Sequence, residues 1–184
     1  QKDLSLEDSH SLSIMLHCIG DFERISDHAL SIMKSAREMA AKNAVFSQQA
    51  VQELHIMEKA VGDIVDKAYT VFATQNITLA EEIEPLEEVI DELSRELKRR
   101  HINRLRAGEC TIEMGFILSD ITTSLERIAD HCSNIGVCVT QVREDLYDTH
   151  SHLDGVKNAP GNLFRKELET VREAYVLPAV VNKG

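Results

Sequence analysis

Leu125-Glu126-Arg127-Ile128-Ala129-Asp130-His131-Cys132-Ser133-Asn134-Ile135 aligns without a gap to Phe22-Glu23-Arg24-Ile25-Ser26-Asp27-His28-Ala29-Leu30-Ser31-Ile32. Both copies carry Glu-Arg-Ile-x-Asp-His. In the later one Leu125, Ile128, Cys132 and Ile135 recur at steps of three and four, which is the period of an amphipathic helix. Two helices therefore present the same acids in the same phase, and the chain reads as an internally repeated helical protein.

Working outward, the same period continues on both sides. A first segment, about Ser9 to Lys42, carries Leu12, Met15, Ile19, Phe22, Ala29, Met33, Ala36 and Ala40 as its apolar stripe. A second, about Ser47 to Gln75, carries Ala50, Leu54, Met57, Val61, Ile64, Ala68 and Phe72. Thr78-Leu79-Ala80-Glu81 reads as a capping box opening a third that runs to about Arg106, where Gly108 stops it. Pro85 lies beyond its first turn on that reading, so a kink or a separate short turn is expected there. The fourth runs from about Thr111 to Leu146. Long amphipathic helices with short connections and no strand signal predict an all-α fold: an antiparallel bundle of four long helices plus a short C-terminal helix. Residues 1–148 are expected to form the bundle, 149–161 a polar loop containing Gly155 and Pro160, and 162–184 the short helix and tail.

The chain has 184 residues, enough for one domain that folds without disulfide or metal support. Its 20 basic and 31 acidic residues leave a net charge of −11, which repels phosphodiester backbones and excludes a nucleic-acid module. No run approaches the ~18 apolar residues of a membrane span. The four cysteines form no CxxC pair and read as reduced thiols, with Cys132 and Cys138 in the core.

Helical phase says what the repeated acids do. On steps of ~100° from Phe22, the apolar stripe centres near roughly 20 to 40°, and Glu23 and Asp27 fall at roughly 100° and 140°, on the shoulder of the core. Glu126 and Asp130 take the same place after Leu125, and Glu87 and Asp91 take it after Leu86 in the third helix. Arg24 and His28 point away from that shoulder. Carboxylates four residues apart repel, so something positive is expected beside them: arginines and lysines of a neighbouring helix, or a cation with oxygen ligands from facing helices. Carboxylate-rich sites suit magnesium, calcium, manganese and iron better than structural zinc.

The repeated motif resembles the PhoU family, over about Leu6 to Leu146. The resemblance implies a bundle of two three-helix repeats whose acidic motifs bind multinuclear iron or zinc clusters, and a role in regulating phosphate uptake. Carried over by motif, the metal ligands are Glu23, Asp27, Glu87, Asp91, Glu126 and Asp130, and the cofactor is a divalent or ferric ion: iron, zinc, manganese or magnesium. Arg100-His101-Ile102-Asn103-Arg104-Leu105 and Gly108-Glu109-Cys110-Thr111-Ile112-Glu113-Met114-Gly115-Phe116 are similar to the cytoplasmic C-terminal PhoU-like domain of bacterial Na⁺/phosphate cotransporters. That similarity implies a metal-binding regulatory domain on the cytoplasmic face of the cell membrane. Its partners would be the transporter half of the same protein and phosphate held through the metal. The chain starts at Gln1, as expected of a piece following such a half.

Relative to the family pattern the first two helices of a complete two-repeat arrangement are absent, so Glu23 and Asp27 lack a partner helix, and a homodimer is expected to cover the apolar surface this leaves. Ser124 stands where the first copy has Asp21, so the second site is expected either to hold fewer ligands or to use Asp120. The alternative functions are a metal-free interaction bundle and a carboxylate-bridged metalloenzyme. No acid, base or nucleophile set accompanies the acids, so no catalytic residue is assigned and the protein is read as a non-enzyme. Among the remaining features, the basic stretch Arg95 to Arg106 fits the negative end of a helix dipole. His150 and His152 read as part of the polar loop.

Overall fold

The computed structural model describes residues 5–148 and 161–180. Residues 1–4, 149–160 and 181–184 lie outside the described residues, and with them most of the expected polar loop, including His150 and His152. Within the described residues the fold is all-helical: α1 Leu6–Ala41, α2 Gln48–Thr74, α3 Ile77–Glu81, α4 Ile83–Arg106, α5 Ile112–Asp148 and α6 Gly161–Ala174. The expected four long helices and short C-terminal helix are present, with α3 as an additional short turn before α4.

Each start has a local cause. Ser5 caps α1 by accepting from the Asp8 amide at 3.0 Å, and Asp8 returns the bond to complete a capping box. Ser47 caps α2. The capping box expected at Thr78 is not the one used: Asn76 accepts from the Leu79 amide at 3.2 Å and opens α3 two residues earlier, after Gln75 turns left-handed at φ 55° to end α2. Pro85 is the third residue of α4, where its missing N–H forfeits no helical bond, so the separate short turn replaces a kink.

At the α4 to α5 connection Gly108 takes φ 72°, which lets the Glu109 amide bond back to the Arg104 carbonyl at 2.9 Å. A Cβ there would meet no atom within 4 Å, so the cost of a side chain is backbone strain alone. Gly108→Ala should lower stability by about 1 kcal/mol in chemical denaturation, with the midpoint moving and the slope unchanged.

α5 is the central element and packs against α1, α2, α3 and α4, with α6 laid on α4. α1 and α4 both run antiparallel to α5: Lys42 pairs with Glu113 while Asp21 meets His131, and Lys98 pairs with Glu126 while Glu84 accepts from Ser133. Met57, Ile64, Ile90, Leu97, Leu118 and Ile135 are fully buried in a continuous apolar core. Cys18 and Cys132 are buried in it as free thiols.

The α1 stripe departs from the sequence reading. Cys18, Phe22, Ile25, Ile32 and Met39 make the packed face, Phe22 meeting Phe72 edge-to-face at 5.3 Å, whereas Leu12, Met15, Ile19 and Met33 are exposed. The first helix has apolar residues on two faces, and α5 occupies only one. No helix among the described residues is long and apolar enough to cross a membrane.

Candidate functional site

The acids of α4 and α5 meet because both helices are antiparallel and both carry them on the same shoulder of the core. With Leu86, Ile90 and Leu125 buried beneath, Glu87 and Asp91 rise from α4 toward Asp130 and Glu126 on α5. One carboxylate oxygen each from Glu87, Asp91 and Asp130 lies within 4.8 Å of the others. All three residues are half-buried.

Electrostatics register the crowding. Burial, and then the charges of Asp91, Glu84 and Asp130, push the Glu87 carboxyl up to about 7. Asp91 is raised as well, first by burial and then by Glu126 and Asp130. Its Oδ1 is buried and has no hydrogen-bond partner. A buried carboxylate oxygen without a partner is costly unless a donor or a cation completes it.

Glu126 is part of the cluster by position and is held differently. It accepts from the Ser94 hydroxyl at 2.7 Å and from Lys98 Nζ at 3.2 Å. Burial works against its charge, and these two donors overcome that and hold its carboxyl below the ordinary value. Asp130 accepts from Arg127 at 2.9 Å on its own helix. Ser133, which donates to Glu84 at 2.6 Å, closes one edge of the site.

This all-oxygen set matches hard cations such as magnesium, manganese and iron, and offers no thiolate or imidazole of the structural zinc type. The orphaned Asp91 oxygen shows that the residues fit such an ion. Glu87, Asp91 and Asp130 would be its ligands directly, and Glu126 by turning away from Lys98.

The first copy of the motif is placed otherwise. Glu23 and Asp27 are exposed on α1, away from the Glu87, Asp91 and Asp130 group. Asp120 is exposed too, and Ser124 is buried. The motif histidines face each other instead: His28 and His131 stack with ring centroids 5.7 Å apart, and His131 Nδ1 lies 2.9 Å from Asp21 Oδ1.

One charged cluster escaped the sequence reading. Glu53 of α2 is fully buried and accepts from Arg100 at 3.1 Å and Arg104 at 2.8 Å. Arg100 also donates to the Pro178 carbonyl at 2.6 Å. With Tyr175 donating to Asp63 and Arg172 paired with Glu92, this fastens the C-terminal segment across α2 and α4. Two of the six basic residues assigned to the α4 end are thus interior ion-pair partners. The signal was present: Glu53 is three residues from Ala50 and four from Met57, on the buried stripe.

Residues 54–139 match the PhoU domain family. The matched stretch runs from α2 into α5 and contains Glu87, Asp91, Glu126 and Asp130, while Glu23 and Asp27 fall before it. Two curated relatives are similar to the chain. The phosphate-specific transport system accessory protein PhoU homolog 1 of Thermotoga maritima is 27% identical over 115 residues, 62% of this chain and 49% of the relative. The corresponding PhoU homolog of Deinococcus radiodurans is 23% identical over 128 residues, 70% of this chain and 59% of the relative. The chain thus spans about half the length of the curated PhoU relatives it matches. No solved structure matches it.

Proposed function

We propose that this chain is a PhoU-like regulatory domain of a phosphate transport system, and that it holds a divalent or ferric cation between α4 and α5 at Glu87, Asp91, Glu126 and Asp130. The observation that carries the metal role is the buried, partnerless Asp91 Oδ1 among three converging carboxylates. A cation there cancels the repulsion between two helices and stiffens their contact. Ion occupancy, or phosphate on the ion, then sets which α4 to α5 geometry is offered to a transporter. The family match and the accessory role in the relatives' names support the phosphate connection. The resemblance of Arg100 to Phe116 to Na⁺/phosphate cotransporter domains supports a membrane transporter half of the same protein as the partner, at the cytoplasmic face.

Protein purified without chelator should contain at least one equivalent of iron, manganese, zinc or magnesium by elemental analysis. Removing the metal should lower the thermal midpoint by several degrees, and adding it back should restore it. Glu87→Gln with Asp91→Asn should abolish both the content and the response. Metal-free protein whose midpoint ignores all four ions would overturn the assignment.

A second reading rests on Glu126 and Asp130, which already have cationic partners in Lys98 and Arg127. In a metal-free interaction bundle those acids dock a basic partner. Glu126→Gln with Asp130→Asn would then weaken partner binding while metal content stays at zero.

A further inference from the structure

α1 is held to the rest of the molecule mainly through α5, and contacts along that seam fix its register. The chain steps back along α1 from Lys42 to Asp21 by as many residues as it advances along α5 from Glu113 to Asn134. Both pairs are in contact, Lys42 with Glu113 and Asn134 donating to Asp21 at 3.4 Å. One turn further on, the same register brings Cys18 of α1 opposite Cys138 of α5. Their side chains meet there, the Cys18 thiol hydrogen-bonded to the Cys138 sulfur. Cys18 is fully buried, Cys138 is half-buried, and both are free thiols.

The other two cysteines are placed differently. Cys138 is two turns from His131 and in its phase, on the side of α5 that meets Asp21 of α1. Cys132 follows His131 by one residue, turns ~100° away and is buried in the core. Cys110 lies against His101 at the α4 to α5 connection.

We infer that Cys18 and Cys138 are a dithiol that a small-molecule disulfide oxidises to a bond between α1 and α5, a covalent latch on a helix held mainly by one neighbour. Only Cys138 is open to solvent, so it reacts first. Its thiolate attacks one sulfur of the reagent RSSR, the reagent's S–S bond breaks, and the departing RS⁻ takes up the proton that Cys138 gave up. Cys18, beside the new mixed disulfide, then loses its proton and attacks the Cys138 sulfur. This second exchange breaks the mixed S–S bond, joins Cys18 to Cys138 and releases the second RSH. Two protein thiols lose two electrons and two protons, and RSSR takes up both.

The surroundings set the rate. Burial pushes the Cys18 thiol up to about 12. Burial and then the Asp21 charge raise Cys138, and the Cys18 S–H offsets part of this by donating to it. Little thiolate is present at neutral pH, so the exchange is slow there and quickens as pH rises.

The test uses the native chain with glutathione disulfide at pH 8, in chelator to prevent metal-catalysed air oxidation. Peptide mapping without reductant should find Cys18 linked to Cys138, with Cys132 still free. The bond closes a long loop, so the thermal midpoint should rise by about 5 °C or more, and dithiothreitol should reverse the rise. Loss of the Cys138 thiol should speed up about tenfold per pH unit from 7 to 8. Cys18→Ala should stop at the mixed disulfide, with one glutathione held on Cys138, and Cys138→Ser should leave Cys18 reduced in the folded protein. A glutathione that persists on wild-type Cys138, a bond to Cys132 instead, or both thiols untouched in the folded chain would overturn the proposal. A Cys18–Cys138 bond that leaves the midpoint unchanged would overturn the latch.

Discussion

Glu53→Ala should cost about 3–5 kcal/mol of stability, the largest single loss expected in this protein. The carboxylate is fully buried and is the shared acceptor of Arg100 and Arg104, whose side chains are only 11% and 7% exposed. Removing it leaves Arg104 in the seam between α2 and α4 with no counter-charge and Arg100 with Glu96 alone. For a chain of this size the loss is a fall in thermal midpoint of about 10 °C or more. Differential scanning calorimetry reads it directly. Replacing Glu53, Arg100 and Arg104 together by Leu, Met and Met removes the charges as a set and should recover most of the midpoint, because an ion cluster exchanged for apolar groups of similar size is close to neutral. A Glu53→Ala protein within a degree or two of wild type would show that water reaches the seam. The Arg100 bond to Pro178 adds a local readout: proteolysis of the C-terminal segment should speed up in Glu53→Ala, since Arg100 loses one of the acceptors that fix it.

The second large effect is a pH dependence at Glu87 in metal-free protein. Glu87 is pushed from an ordinary 4.5 to about 7, so the folded state keeps a proton that the unfolded chain gives up. Its stabilising share is fully present below about pH 4.5 and is lost as pH rises through about 7. The full shift corresponds to roughly 3 kcal/mol, and solvent screening of a half-buried group brings it to about 2 kcal/mol. His28 and His101 act in the opposite sense. Burial lowers both, so the stability they withhold in acid returns as pH rises through 6.5. The clean measurement is therefore the difference between wild type and Glu87→Gln in chelator. That difference should be small at pH 5 and should grow to several degrees in favour of the variant at pH 8. A difference that stays flat across this range would mean that Glu87 titrates as an ordinary exposed carboxylate. Adding a divalent cation at pH 8 should reverse the order, stabilising wild type and leaving Glu87→Gln behind.

The distribution of charge shows how these effects arise from one composition. Most of the described acids behind the net charge of −11 are exposed, but a few sit where helices meet. Glu53 is neutralised from within by two arginines, and Glu126 by Lys98. Glu87, Asp91 and Asp130 converge with one buried oxygen left without a partner. Glu23 and Asp27 remain in solvent. Identical residues at identical helical phase therefore have three different fates, decided by the helix that faces them.

The sequence by itself determined the helices and the acidic shoulder, because each depends on spacing within one helix: apolar steps of three and four, and carboxylates four apart in a fixed phase to a core residue; the short connections between helices set their antiparallel order. It also placed Glu87 and Asp91 in the same phase as Glu126 and Asp130, so their meeting was legible once α4 and α5 were taken as neighbours. Only the tertiary structure decided which side of α1 is buried. That helix has apolar residues on two faces, and periodicity within a helix cannot say which of them a neighbour covers. Nor could spacing show that Arg100 and Arg104 turn inward, since a basic helix end is equally stable in water. Their burial follows from Glu53 arriving on α2 from about fifty residues away, a long-range coincidence that exists only after the core has packed.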